Sequence, residues 1–305
     1  MTELILILIS AVLIDRIFGE PPERFHPTVW IGKLIDALKK INSSSFFYGV
    51  FVFIFITCVS AGTAFFALKF LENFWLKIIL GAAILKISFS WRALEKHALQ
   101  VVQFNLENAR KALSKIVGRD TSDLDEKQVI SATIESVAES SADGIISPLF
   151  YYSLFGVFFG AEAGVSAAIF YRAANTLDSM IGYRKYTGFG FFSAKTDDVL
   201  NFIPARVASL LIVSSAFILR ENWRNATKIF LRDRKKTPSQ NSGCPMAAMA
   251  GALEVQLEKV RYYKLGDAMQ ELKAEHVRAA LRIVGATTVS FISLAIAFFI
   301  YEGNF

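Results

Sequence analysis

The sequence predicts an all-α, polytopic integral membrane protein with about five to six apolar helices. Of its 305 residues, 53% are hydrophobic and 13% aromatic, and the mean hydropathy is +0.41. These values are too apolar for an ordinary soluble chain of this length. The sequence has no internal repeat, low-complexity tract or glycine-rich linker. We therefore expect a single membrane domain over residues 1–305.

Five apolar runs are each near the roughly 17–25 residues that a spanning helix needs. They are residues 46–68, 74–89, 145–170, 202–219 and 284–301. The third run contains Pro148, Gly156, Gly160 and Glu162, so a re-entrant segment that turns back inside the protein is the alternative to a single crossing. Residues 1–14 are apolar but short, and they lack a basic start and a small-residue cleavage site. They predict a retained helix rather than a signal peptide.

Charge indicates the orientation in the membrane. The net charge is +6, and the long polar segment 220–282 carries a clear basic excess at its start. By the positive-inside rule this segment is predicted to face the cytoplasm, in a multi-pass protein of the cell membrane. The number of crossings stays open, and with it the side of residues 171–201. Because one active site needs its polar motifs together, we expect residues 171–201 on the same side.

Two polar clusters border apolar runs. The first contains Arg172, Asn175, Asp178 and Arg184, and the second contains Asp197, Asp198, Asn201 and Arg206. Ionisable groups near hydrocarbon are costly and indicate function by default. Adjacent carboxylates suit Mg²⁺, and the planar fork of arginine suits phosphate. The alternatives are an acidic helix start with an interfacial arginine, and a structural ion-pair network around Asp178.

A further set of carboxylates has helical spacing. Glu135, Glu139 and Asp143 are each four residues apart, which places them on one stripe of a helix. Such a stripe can bind Mg²⁺ through oxygen ligands. The alternative is the solvated face of an amphipathic helix.

The segment 233–245 combines a basic run with turn-forming residues, among them Asn241 and Ser242. Such a loop can cradle an anion through side chains and backbone N–H groups. Composition alone favours the other interpretation, a basic cytoplasmic loop near anionic lipid. His26 is a weaker candidate, because a lone histidine is usually structural. The sequence contains no phosphate-loop, dinucleotide-turn or zinc-helix motif.

These motifs together resemble the CobD/CbiB family of integral membrane proteins, which act late in cobalamin biosynthesis. The resemblance covers most of the chain. It is carried by residues 15–16, 26–27, 31–32, 117–121, 135–139, 143–144, 148–150, 171–173, 175–180, 182–183, 197–201, 204–206, 238–239, 241–243 and 247–253.

The resemblance implies adenosylcobinamide-phosphate synthase activity. In that reaction an amide bond joins the propionate of adenosylcobyric acid, an adenosylated corrinoid, to (R)-1-amino-2-propanol O-phosphate, with ATP and Mg²⁺. From the chemistry we expect catalytic roles for Glu135, Glu139, Asp178, Asp197 and Asp198, and metal binding by Asp143, Asp197 and Asp198. Substrate or phosphate binding is expected from His26, Arg172, Asn175, Arg184, Asn201, Arg206, Asn241 and Ser242.

The expected partners are these small molecules, the lipid bilayer and other membrane enzymes of late cobalamin assembly, and no nucleic acid. Two other functions stay open on the residues alone. The apolar spans and intramembrane charges also suit a membrane transporter of an anionic substrate. A non-catalytic membrane sensor is the third alternative.

Overall fold

A computed structural model describes residues 1–22, 24, 26–42, 44–103, 105–182 and 188–303. It is 77% helical, which confirms the all-α prediction. Its elements are α1 (Thr2–Phe18), α2 (Pro27–Lys39), α3 (Phe46–Lys69), α4 (Phe74–Ser88), α5 (Trp91–Gln103), α6 (Leu106–Leu113), α7 (Glu126–Ser141), a π-helical turn (Ala142–Ile146), α8 (Ser147–Phe159), α9 (Ala161–Ile181), α10 (Phe191–Leu200), α11 (Phe202–Ile218), α12 (Trp223–Asp233), α13 (Gln240–Ala252), β1 (Leu257–Lys259), β2 (Tyr263–Leu265) and α14 (Ala274–Glu302).

Several helical stretches are long and apolar enough to cross a membrane. Among the described residues there are four, or five if α10 and α11 together form one bent span. The four are Phe46–Lys69, Phe74–Gln103, Glu126–Phe159 and Ala274–Glu302. The prediction of a polytopic helical membrane protein is therefore confirmed.

Helix α3 illustrates how the sequence produces such a span. The Ser45 hydroxyl caps its start by accepting the backbone N–H of Tyr48 at 3.3 Å. Within the 24 residues that follow, a stretch of 18 has a mean hydropathy of 2.3. Phe53 and Ile56 are buried in a core cluster, whereas Phe51 is 55% exposed. One side of α3 thus packs against protein, and the other side presents apolar surface suited to lipid.

The chain divides into two compact units whose segments alternate along the sequence. Unit 1 contains Met1–Ser90, Ser147–Asn201 and the chain from Leu294 onward. Unit 2 contains Trp91–Ile146 and Phe202–Ser293. The single domain expected from the sequence stays a prediction.

In unit 1, the apolar run at 145–170 is not one span. It is broken at Gly160, whose φ of 92° is readily adopted only by glycine. Helix α9 then packs closely on α8, because a Cβ atom at Gly164 would lie 2.7 Å from the carbonyl oxygen of Tyr152 and 3.0 Å from Cα of Gly156. The run therefore turns back as a tight helical hairpin, as the alternative prediction for this segment proposed.

The two ends of unit 1 can be told apart by their contacts. At one end, Lys77 near the start of α4 forms ion pairs with Glu3 in the first turn of α1 and Glu162 in the first turn of α9. At the other end, Gly32 on α2 faces Met180 near the end of α9. The described parts of polar segments 15–45 and 182–201 therefore lie at the same end of unit 1.

We expect Gly164→Val to destabilise the α8–α9 hairpin by about 1–3 kcal/mol, because the side chain would overpack against backbone atoms. The midpoint of thermal unfolding in detergent micelles measures this. Gly62→Val on α3 is the matched control, since a Cβ atom at Gly62 meets nothing within 4 Å. Equal unfolding midpoints for the two variants would contradict the packing described for the hairpin.

Candidate functional site

A hydrogen-bonded polar cluster in unit 1 is centred on Asn201, which follows α10 and is only 5% exposed. Its side-chain carbonyl oxygen accepts the hydroxyl of Ser147 at 2.9 Å and that of Tyr171 at 2.7 Å. Its amide donates to Oδ2 of Asp197 at 2.9 Å. One asparagine therefore links residues of α8, α9 and α10.

Asp197 connects this cluster to α9. Its Oδ1 atom accepts the side-chain amide of Asn175 at 3.3 Å, and its charge interacts with that of Asp178. The structure thus brings together Asn175, Asp178, Asp197 and Asn201, all of which the sequence marked as candidates. The Asp197 carboxylate is held by the side-chain amides of Asn175 and Asn201.

The other candidates of unit 1 lie in different surroundings. Arg172 is on α9, and in the described part of the chain its buried Nε atom has no hydrogen-bond partner. Asp198 is exposed and pairs with Lys195 at 3.2 Å. Because successive residues of a helix point about 100° apart, the side chains of Asp197 and Asp198 leave α10 in different directions. Arg184 lies outside the described residues.

His26 caps the start of α2. Its Nδ1 atom accepts the N–H of Thr28 at 3.2 Å and so caps α2, and its Nε2 atom contacts Glu20 at 2.9 Å. Burial alone would raise the pKa of Glu20, but the hydrogen bond from His26 and the charge of Lys86 lower it below its usual value. Both ring nitrogens are thus engaged within the protein, and nothing in this geometry indicates substrate binding by His26.

In unit 2, Glu135 is buried in α7, so the alternative of a solvated helix face is wrong at this position. Its oxygens accept the hydroxyls of Ser131 at 2.9 Å and Tyr263 at 2.8 Å, and Arg119 approaches to 3.6 Å. Burial and the Glu135 carboxylate raise the pKa of Tyr263 well above its usual value, which keeps the phenol a donor. Arg119 and Tyr263 were not singled out from the sequence, because only the tertiary structure places them beside Glu135.

Glu139 and Asp143 differ from Glu135. Glu139 accepts the hydroxyl of Ser242 at 2.5 Å, which ties α7 to the first turn of α13. Helix α7 ends at Ser141, and Asp143 lies in the π-helical turn. Asp143 therefore departs from the α-helical stripe predicted for these carboxylates. Turns of this kind are frequent at functional sites.

Metal binding stays a prediction for Asp143, Asp197 and Asp198. Over the described ranges, no group of three or more histidine, cysteine, aspartate or glutamate residues is arranged to hold a metal ion.

The segment predicted as a basic loop is helical from Gln240 onward, where α13 begins. Beside this helix start lies a cleft of 330 Å³, which we call the basic cleft. It is lined by Phe202, Arg206, Arg234, Lys235, Gln240 and Cys244.

Arg206 is held in a fixed position at this cleft. One of its guanidinium nitrogens donates to the carbonyl oxygen of Phe202 at 2.5 Å and to the side chain of Asn241 at 3.1 Å. The guanidinium also stacks on the Phe202 ring at 3.6 Å. Asn241 therefore orients Arg206, as expected of a residue at an anion site. Arg234 and Lys235 lay within the basic run but were not chosen individually from the sequence.

These features define a helical, polytopic membrane protein with buried polar clusters and a basic cleft. The chain matches the model of the CobD/Cbib protein family over residues 8–284. It therefore belongs to the CobD/CbiB family of cobalamin biosynthesis proteins, and this membership implies an enzyme.

Relatives named for cobalamin biosynthesis match over almost the whole chain. The probable cobalamin biosynthesis protein CobD of Methanothermobacter thermautotrophicus is 38% identical over 293 residues, covering 93% of this chain and 94% of that protein. The cobalamin biosynthesis protein CobD of Dehalococcoides mccartyi is 40% identical, covering 92% and 93%. The protein of that name from Clostridium perfringens is 38% identical, covering 96% of each chain. No solved structure matches the chain.

We expect Asn201→Asp to destabilise unit 1 by about 1–3 kcal/mol, because it replaces the amide donor to Asp197 by a second carboxylate. Thermal unfolding at neutral pH measures the effect. Asn105→Asp is the matched control: Asn105 caps α6 by accepting the N–H of Asn108, and aspartate caps a helix as well as asparagine does. If the two variants unfold at the same temperature, the cluster around Asn201 is not a stabilising feature.

Proposed function

We propose that this protein is an adenosylcobinamide-phosphate synthase. It joins the propionate of adenosylcobyric acid to (R)-1-amino-2-propanol O-phosphate through an amide bond, with hydrolysis of ATP. The observation that supports this most is the basic cleft, found in a chain of this family. One substrate carries a phosphate group, and a cleft lined by Arg206, Arg234 and Lys235 suits that group.

The chemistry requires activation of the carboxylate, because an ionised carboxylate in water does not condense appreciably with an amine. ATP, when bound, supplies the phosphoryl group that turns a propionate oxygen into a leaving group. Mg²⁺ commonly binds through one or two carboxylates together with substrate phosphates. Asp178 and Asp197 are close enough to interact and would supply two such carboxylates.

The amine must also lose a proton as the amide forms. We assign acceptance of that proton to a carboxylate held by neutral donors, since an ion-paired carboxylate is a weaker base. Glu139, held by the neutral hydroxyl of Ser242, meets this requirement.

Turnover of the purified protein in lipid nanodiscs tests the proposed reaction. With adenosylcobyric acid, aminopropanol phosphate, ATP and Mg²⁺, mass spectrometry should detect adenosylcobinamide phosphate, with ATP hydrolysed in proportion to amide formed. Folded protein that binds both substrates yet forms no amide would overturn the proposal. Substrate uptake into sealed liposomes would then favour the transporter.

We expect Asp197→Asn to lower kcat about 100-fold or more, because asparagine is similar in size but has no negative charge with which to hold Mg²⁺. Asp198→Asn should have the smaller effect, since Asp198 is exposed beside Lys195. Steady-state rates at saturating substrate compare the two variants. Wild-type turnover in Asp197→Asn would remove this residue from the site.

We further propose that the end of unit 1 carrying segments 15–45 and 182–201 faces the cytoplasm. This end carries several basic residues, including Lys33 and Lys195, whereas the opposite end carries Lys69 and Lys77. Positive charge favours the cytoplasmic side.

Labelling of intact cells with a membrane-impermeant maleimide tests this orientation. In otherwise cysteine-free protein, a cysteine at Glu72, between α3 and α4, should react from outside. Cysteines at Lys33 and Lys195 should react only after the cells are permeabilised. Outside labelling at either lysine position would contradict the proposed orientation.

A further inference from the structure

The first turn of α13 organises the basic cleft. Gln240 lines the cleft, Asn241 holds Arg206, and Ser242 donates to Glu139 on α7. The fourth residue, Gly243, lies directly against the chain at Arg234, because a Cβ atom here would be 2.4 Å from the Arg234 carbonyl oxygen. Only glycine permits this approach, which brings Arg234 to the helix start. Each residue of the turn thus has a separate contact that shapes the cleft.

The cleft concentrates positive charge. Its described lining includes three cations and no carboxylate. The thiol of Cys244, buried at 1% exposure, has its pKa raised by burial and lowered in part by Arg206 and Arg234. Both guanidinium groups are therefore close enough to Cys244 to affect it electrostatically. An anion bound above Cys244 would lie near two arginines at once.

The peptide backbone adds to this charge. Helix α13 has 13 residues, and Ser239 at its N-cap makes no side-chain capping hydrogen bond. The N–H groups of a helix's first turn point out of the helix and favour an anion. Gln240, the first residue of α13, lines the cleft, so an anion bound there would lie near this helix start.

We propose that the basic cleft binds the phosphomonoester group of the amino-alcohol substrate. A phosphomonoester carries a charge of about −1.5 to −2 at neutral pH, which three nearby cations balance. The volume of 330 Å³ is at the small end of the roughly 300–1,000 Å³ typical of small-molecule sites and suits a compact phosphate ester. The identity of the ligand rests on the proposed function, whereas phosphate binding by the cleft does not.

Binding of aminopropanol phosphate, without corrinoid or nucleotide, tests the site. Isothermal titration in a phosphate-free detergent should show binding by the wild type, and no binding of unphosphorylated aminopropanol. We expect Arg206→Lys, Arg234→Gln and Lys235→Gln each to weaken binding about 10-fold or more, since hydrogen bonds to charged groups are strong and the arginine fork is lost in lysine. Arg224→Gln and Lys228→Gln, which remove exposed cations of α12, are the matched controls and should bind normally.

Kinetics separate this proposal from the proposed function. The cleft variants should raise KM for aminopropanol phosphate about 10-fold and leave KM for adenosylcobyric acid unchanged. If the variants form amide with a normal KM, the synthase stands and the cleft assignment fails. If the cleft binds the phosphate ester but no amide forms, the assignment stands and the synthase fails. Equal losses in the α12 controls would show a general charge effect and overturn the assignment.

Phosphate chemistry is also present in lipid headgroups, so a second measurement distinguishes the two sources. Nanodiscs of phosphatidylglycerol and of phosphatidylcholine are compared for each variant. Aminopropanol phosphate should bind with similar affinity in both, and the cleft variants should lose this binding in both. The cleft is a lipid site, and the proposal is wrong, if the cleft variants still bind aminopropanol phosphate and lose only a difference between phosphatidylglycerol and phosphatidylcholine nanodiscs that the wild type shows. Unchanged thermal unfolding of Arg206→Lys shows that the loss is not misfolding.

Discussion

A buried ion pair between Asp15 and Lys86 fixes the arrangement of α1 and α4. The two side chains are 0% and 3% exposed and lie 3.1 Å apart, and Lys86 also contacts Glu20 at 2.8 Å. Removing one partner of a buried pair leaves the other charge uncompensated, at a cost of about 3–5 kcal/mol. Asp15 and Glu20 therefore compensate the buried charge of Lys86. Around Asn201 the buried polar groups are paired by hydrogen bonds instead of an ion pair: the hydroxyls of Ser147 and Tyr171 donate to Asn201, and Asn201 donates to Asp197.

In unit 2, the start of one helix supplies the partners of several polar side chains. In the first turn of α13, Ser242 donates a hydrogen bond to Glu139 and Asn241 accepts one from Arg206. Gly243, in the same turn, lets the backbone at Arg234 approach closely. These contacts join α7, α11 and the segment after α12 to a single turn. A substitution in this turn would therefore affect several elements at once. This explains how a short segment can be rich in small and polar residues while much of α13 is buried.

The apolar runs predicted α3, α11 and most of α14, because length and composition alone distinguish a spanning helix. The grouping of Asn175, Asp178, Asp197 and Asn201 was also predictable, since these residues belong to neighbouring segments. The break at Gly160 was foreseen only as an alternative, because glycine is tolerated inside membrane helices as well as between them.

Other features depend on tertiary structure and leave no local pattern. Tyr263 and Glu135 are 128 residues apart in sequence, so no spacing rule connects them. The π-helical turn at Asp143 was missed because a run of regular spacing does not reveal a change of helix type. For His26, composition could not distinguish a ligand from a helix cap.

The length of α3 has a consequence for the membrane itself. Its 24 residues, each rising about 1.5 Å, extend about 36 Å. The hydrocarbon layer of a typical bilayer is about 30 Å thick, so an upright α3 would project apolar side chains into the headgroup region. Tilting α3 relieves this hydrophobic mismatch, and a thinner bilayer would demand a larger tilt. Helix α3 packs against helices that carry the polar cluster around Asn201. A change in lipid chain length that tilts α3 would therefore act on the geometry of that cluster.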